Sequence, residues 1–103
     1  MFNFKDLFQQ AQGLQTKIRE LQEELAERTV TGSAGGDMVK VEFTGAQEMV
    51  SIKIEKEVLD SGDRELLEGL IVGAVNDALV KVRDMVSGEM TKLTGGIRIP
   101  GLM

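Results

Sequence analysis

From Phe4 to about Arg28 the apolar positions are Phe4, Leu7, Ala11, Leu14, Ile18, Leu21 and Leu25. Steps of three and four alternate between them, which places them on one narrow seam of a helix with a seven-residue repeat. Phe4, Ala11, Ile18 and Leu25 hold one core position, and Leu7, Leu14 and Leu21 hold the other. Gln, Glu, Lys and Arg fill the remaining faces, and Asn3 is suited to cap the start. Gly13 lies off the seam, at a cost of about 1 kcal/mol relative to Ala. Some 25 residues make a helix of about 37 Å, too long to be covered by one small core. Part of it must project or pair with a second helix.

The period changes at Thr29, where β-branched residues begin. A short strand is expected around Val30, followed by a turn in "GSAGGD". In "MVKVEFT", Val39, Val41 and Phe43 fall on one face and Met38, Lys40 and Glu42 on the other. After "GAQ", Val50, Ile52 and Ile54 oppose Ser51 and Lys53. Such alternation reads as an antiparallel sheet with one wet side. A phosphate-binding loop would lead from a strand into a helix N-terminus. Here the glycines lead into a strand and no G-K-[ST] follows, so Gly32, Gly35 and Gly36 are expected to supply positive φ in a hairpin connection.

Val58 and Leu59 read as an anchoring turn, with Asp60, Ser61 and Asp63 as candidate N-caps for the next helix. That helix spans about Arg64 to Leu93. Leu67, Leu70, Ile71, Ala74, Val75, Ala78, Leu79 and Val82 make a stripe broad enough to cover a sheet face. Met85, Val86, Met90 and Leu93 carry it past the end of so small a sheet. Gly69 and Gly73 suggest close approach to a helix or sheet, Asn76 a hydrogen bond near an interface, and Asp77 a solvent-facing carboxylate. "TGG" stops the helix before the apolar tail "IRIPGLM". The fold class is α+β: long N-terminal helix, three-stranded antiparallel sheet and long C-terminal helix, in one domain over residues 1–103. Apolar positions are left over on both helices, and a homodimer with projecting helices would cover them.

Composition narrows the chemistry. The chain has no Cys, His, Trp or Tyr, which removes thiol nucleophiles, thiolate metal sites and Ser-His-Asp catalysis. No EF-hand spacing is present, so no metal site is expected, and the residues left for chemistry make an enzyme the least expected reading. Lys5 and Asp6 interrupt any leader-like apolar run, and "GLIVGAV" is too short to span a bilayer. The expectation is a soluble cytoplasmic protein without membrane contact.

The formal net charge is −5, which argues against a surface that coats nucleic acid as a whole. The charge is nevertheless polarised. Residues 79–100 carry four basic against two acidic side chains, whereas residues 42–68 carry eight acidic against three basic ones. The basic side chains fall in two groups: Lys5, Lys17, Arg19 and Arg28 on the first helix, and Lys81, Arg83, Lys92 and Arg98 on the last helix and tail.

The segments "GGDMVKVEFTGAQEMVSIKI", "LLEGLIVGAVNDALVKV" and "EMTKLTGGIRIPGLM" together resemble the YbaB/EbfC family of bacterial nucleoid-associated proteins over nearly the whole chain. It departs from the family's frequent Asp-Pro after the last strand, having Glu55–Lys56, and from its frequent Asp and Ala, having Gly69 and Gly73. The resemblance implies a tweezer-like homodimer that binds duplex DNA in the nucleoid, with little sequence specificity, no catalysis and no cofactor. It also implies contacts from charged residues on the two long helices, here Lys17, Arg19 and Arg28 on the first and Lys81, Arg83 and Lys92 on the last. The rival expectation is an adaptor that docks an unidentified protein partner on its heptad seam and on Ile97, Ile99 and Leu102.

Overall fold

The computed structural model describes residues 3–94. Helix α1 spans Phe4–Glu27, and the Asn3 side chain accepts a hydrogen bond from the Lys5 N–H at 3.0 Å, as its capping role requires. The heptad seam is covered only at its far end. Phe4 is 82% exposed and Leu7 46%, Leu14, Ile18 and Leu21 are half-buried, and Leu25 is 2% exposed. Most of α1 therefore projects from the body.

Its root is fastened by backbone. The Gly45 N–H is shared between the carbonyls of Leu25 (3.1 Å) and Arg28 (3.0 Å). The Leu25 carbonyl, which also accepts the Arg28 N–H at 3.1 Å, and the carbonyl of the C-cap Arg28 are thereby held at the root of the helix. A Cβ at Gly45 would run into the Leu25 carbonyl, so only glycine permits this approach.

Strands β1 (Thr29–Ala34), β2 (Val39–Thr44) and β3 (Met49–Ile54) form an antiparallel sheet in the order β1-β2-β3. Val30 faces Phe43, Val41 faces Ile52, and Val39 is flanked by Ala34 and Ile54. The inner face carries the buried Val39, Val41 and Phe43. A bulge opposite Glu42 and Phe43 leaves Val50 between the paired Met49 and Ser51. Gly35 and Gly36 have φ of 64° and Asp37 of 71°, as the β1–β2 turn was expected to need. Gly32 serves a different purpose. It lies inside β1, and a Cβ there would collide with the backbone of Ala74 and Ala78.

The short helix α2 (Lys56–Asp60) buries Val58 and leaves Leu59 exposed. Asp63 then caps α3 (Arg64–Thr94), its Oδ1 accepting from the Leu66 N–H at 3.0 Å. Helix α3 lies over β1 and β2 with Ala74, Ala78 and Val82 fully buried. These small residues, set against Gly32, bring helix and strand into close contact. Gly73 joins them, since its Cβ position lies 3.3 Å from Ala34 Cβ, whereas Gly69 opens onto free space. The broad stripe is thus as expected, but only one of its two glycines serves packing. The expected helix stop at "TGG" and the apolar tail lie outside the described residues.

The sheet is only partly covered. Ile52 shares the inner face with Val41 yet remains 39% exposed, and Val50 is 57% exposed. The molecule measures 72 × 26 × 15 Å with a radius of gyration of 20.0 Å. A compact chain of this size would have about 13 Å. The difference is the projecting helix pair.

Candidate nucleic-acid interface

The six cations singled out on the two helices are all exposed, but they divide by what holds them. Lys17 and Arg19 lie on the projecting part of α1, and no ion pair ties either of them among the described residues. Arg83 donates from Nε to the Leu79 carbonyl one turn back on α3, at 3.4 Å. It borders an open groove of about 440 Å³ between Gly45–Gln47 and Val82, Val86 and Ser87. These three guanidinium and ammonium groups are presented to solvent.

The other three are engaged within the chain. Lys81 Nζ donates to the Thr31 carbonyl at 2.9 Å and lies 3.1 Å from Asp77 Oδ2. The same Asp77 oxygen accepts the Ser33 N–H at 3.0 Å. Thr31 and Ser33 lie on the free edge of β1, so one i,i+4 pair on α3 satisfies a carbonyl and an N–H of that edge together. This corrects the expectation for Asp77, which is half-buried against the sheet edge; its neighbour Asn76 is exposed. The Ser33 N–H and, after it, Lys81 hold the Asp77 carboxyl below the usual range.

Arg28 and Lys92 share a second carboxylate. Arg28 Nη1 lies 3.1 Å and Lys92 Nζ 3.4 Å from Glu89 Oε1, while Arg28 Nη2 lies 2.6 Å from Glu24 Oε1. Arg28 ends α1 and Glu89 lies in the last turns of α3, so this cluster bridges the two helices where they leave the sheet. Arg28, then Lys92, holds Glu89 below the usual carboxylate range; Glu24 and then Glu89 push the Arg28 guanidinium further up. The i,i+4 pair Glu24–Arg28 and the i,i+3 pair Glu89–Lys92 were legible as helix spacings. Glu89 meeting Arg28 across 61 positions was not.

The wet face of the sheet adds a feature that alternation alone does not reveal. Lys40 is directly opposite Lys53, an unfavourable like-charge pairing. Glu42 stands on the same face, accepting from Ser51 Oγ at 3.3 Å. Among the described residues there is no cluster of three His, Cys, Asp or Glu arranged for a metal, and no helix long and apolar enough to cross a membrane.

A sequence model described as the YbaB/EbfC DNA-binding family matches residues 1–97. The chain belongs to this family. A nucleoid-associated protein of Moorella thermoacetica is 50% identical over 101 residues, covering 98% of this chain and 97% of its own. One from Caldanaerobacter subterraneus subsp. tengcongensis is 48% identical over 101 residues, covering 98% of this chain and 91% of its own. Among solved structures, an uncharacterized protein of Helicobacter pylori superposes with a TM-score of 0.78 at 25% identity, covering 90% of this chain and 98% of that one.

Within this YbaB/EbfC chain the six cations singled out lie on or at the end of the two long helices, while Lys40 and Lys53 add a second basic pair on the wet face of the sheet. The described residues contain no aromatic platform of the kind single-stranded binders use; the aromatics among them are Phe4 and Phe8 on α1 and Phe43 in the core.

Proposed function

We propose that this protein binds duplex DNA as a homodimer, in the cytoplasmic nucleoid, through Lys17, Arg19 and Arg83, with Arg28, Lys81 and Lys92 as secondary contacts. The observation that carries this reading is the placement of exposed, unpaired cations on two helices that leave the body together, in a chain of a DNA-binding family. The relatives' names as nucleoid-associated proteins support the cellular setting. Its role is architectural and not catalytic. Phosphate contacts of this kind tolerate sequence, and their strength falls steeply with salt.

Dimerisation is supported by apolar surface with nothing over it in a single chain. Val50 and Ile52 on β3, Leu66 and Val72 on α3, and Leu7 and Phe8 on α1 are all exposed. A second copy would cover such surface and double the number of cations facing a duplex.

The test is a fluorescence-anisotropy titration of the purified protein on a random-sequence duplex at several salt concentrations. A plot of log K against log salt with a slope of about −0.9 per phosphate neutralised, summing to several phosphates, supports the reading. Absence of binding at low salt would leave the adaptor reading, which the exposed seam of α1 favours. The two readings part on reversal of Lys17, Arg19 and Arg83, which removes DNA binding and leaves an apolar docking face intact.

A further inference from the structure

We infer that Glu89 acts as a built-in phosphate mimic that masks Arg28 and Lys92 and thereby sets the affinity of the helical surface for DNA. The inference rests on the DNA-binding reading above and concerns the regulation of that same surface.

The geometry is that of an occupied anion site. One carboxylate oxygen of Glu89 receives cations from both helices, Arg28 Nη1 at 3.1 Å and Lys92 Nζ at 3.4 Å. Arg28 directs its other terminal nitrogen, Nη2, to Glu24 Oε1 at 2.6 Å. The guanidinium fork, which suits two phosphate oxygens, is thus filled by two oxygens of the chain itself. Glu89 is the best covered member of the group, its side chain 21% exposed against 41% for Arg28, 58% for Glu24 and 77% for Lys92. The cations remain reachable from solvent while the carboxylate stays against the helices.

Two cations against two carboxylates leave the cluster neutral. A duplex approaching it finds no net attraction unless a phosphate displaces Glu89 from Arg28 and Lys92. Exposed ion pairs are weak enough for such exchange. The mask therefore lowers affinity without abolishing it. It also links DNA binding to the α1–α3 junction, because freeing Arg28 removes its side-chain link from the root of α1 to α3.

The experiment compares Glu89→Gln with the wild type and with Glu42→Gln, which removes the same charge from the wet face of the sheet. All three are titrated on one random-sequence duplex at several salt concentrations. The expected result is that E89Q binds about two- to tenfold tighter than wild type at low salt, as loss of two weak ion pairs implies. Its salt dependence steepens as two further cations reach phosphates. E42Q gains distinctly less. In an R28A/K92A background, E89Q brings no gain beyond that of E42Q, because nothing is left to unmask. Equal gains for E89Q and E42Q would overturn the inference in favour of overall charge. Weaker binding by E89Q would overturn it by making Glu89 a residue that positions Arg28 for DNA. Absence of binding by every variant, wild type included, would overturn the DNA-binding reading itself and the mask with it.

Discussion

Two glycines and one carboxylate show how single residues set geometry and stability. Gly32 lies in β1 because the backbone of Ala74 and Ala78 occupies the space a side chain would need. Gly32→Ala must push α3 off the sheet, and we expect a loss of at least about 1–3 kcal/mol in chemical denaturation. Gly13 has open space around its Cβ position on α1, so Gly13→Ala should raise helix content and stabilise by up to about 1 kcal/mol. Asp77 adds a pH dependence. Its pKa is lowered in the folded chain, first by the Ser33 N–H and then by Lys81. A depressed carboxyl contributes stability that is complete above its ordinary value, about 4, and is lost as pH falls through the lower folded value. Acid denaturation of Asp77→Asn should accordingly be flatter below about pH 4 than that of wild type, with the midpoint of unfolding followed by circular dichroism.

At the scale of elements, most of the fold was written in periodicity. The three-four steps from Phe4 to Leu25 mark α1, the alternation around Val39 and Ile52 marks the sheet, and the stripe from Leu67 to Val82 marks α3. What the pattern does not carry is contact between distant residues. The glycines of the first turn read alike, yet Gly35 and Gly36 turn the chain while Gly32 admits a helix, because that distinction depends on Ala74 and Ala78 lying opposite. The cations were legible as a set. Their division into free and engaged groups was not, since Lys81 finds Thr31 and Arg28 finds Glu89 only after folding. Lys81 in particular holds the edge of β1. Lys81→Ala should therefore lower both the unfolding midpoint and DNA affinity, whereas Arg83→Ala should lower affinity alone, and thermal melts beside anisotropy titrations separate the two.

At the scale of the whole molecule, the elongated body and the uncovered inner face of β3 belong to one account. A sheet of three strands does not bury its third strand under one helix already centred on β1 and β2, which leaves Ile52, on the inner face opposite Val41, 39% exposed. If the proposed homodimer forms through this face, replacing Ile52 with Glu shifts it toward monomer in sedimentation equilibrium at micromolar concentration and weakens DNA binding. Charge follows the same division of labour. The net charge of −5 is concentrated on residues 55–68, where six acidic side chains stand against two basic ones, and the proposed interface lies on other parts of the two long helices. The most direct test is to compare K17E/R83E with K40E/K53E in anisotropy titrations on the same duplex at low salt. Both pairs of reversals change the net charge equally. Loss of binding by at least on the order of tenfold for the helix pair, with a much smaller loss for the sheet pair, is the result this account predicts. A larger loss from the sheet pair would contradict it and move the interface to the wet face of the sheet.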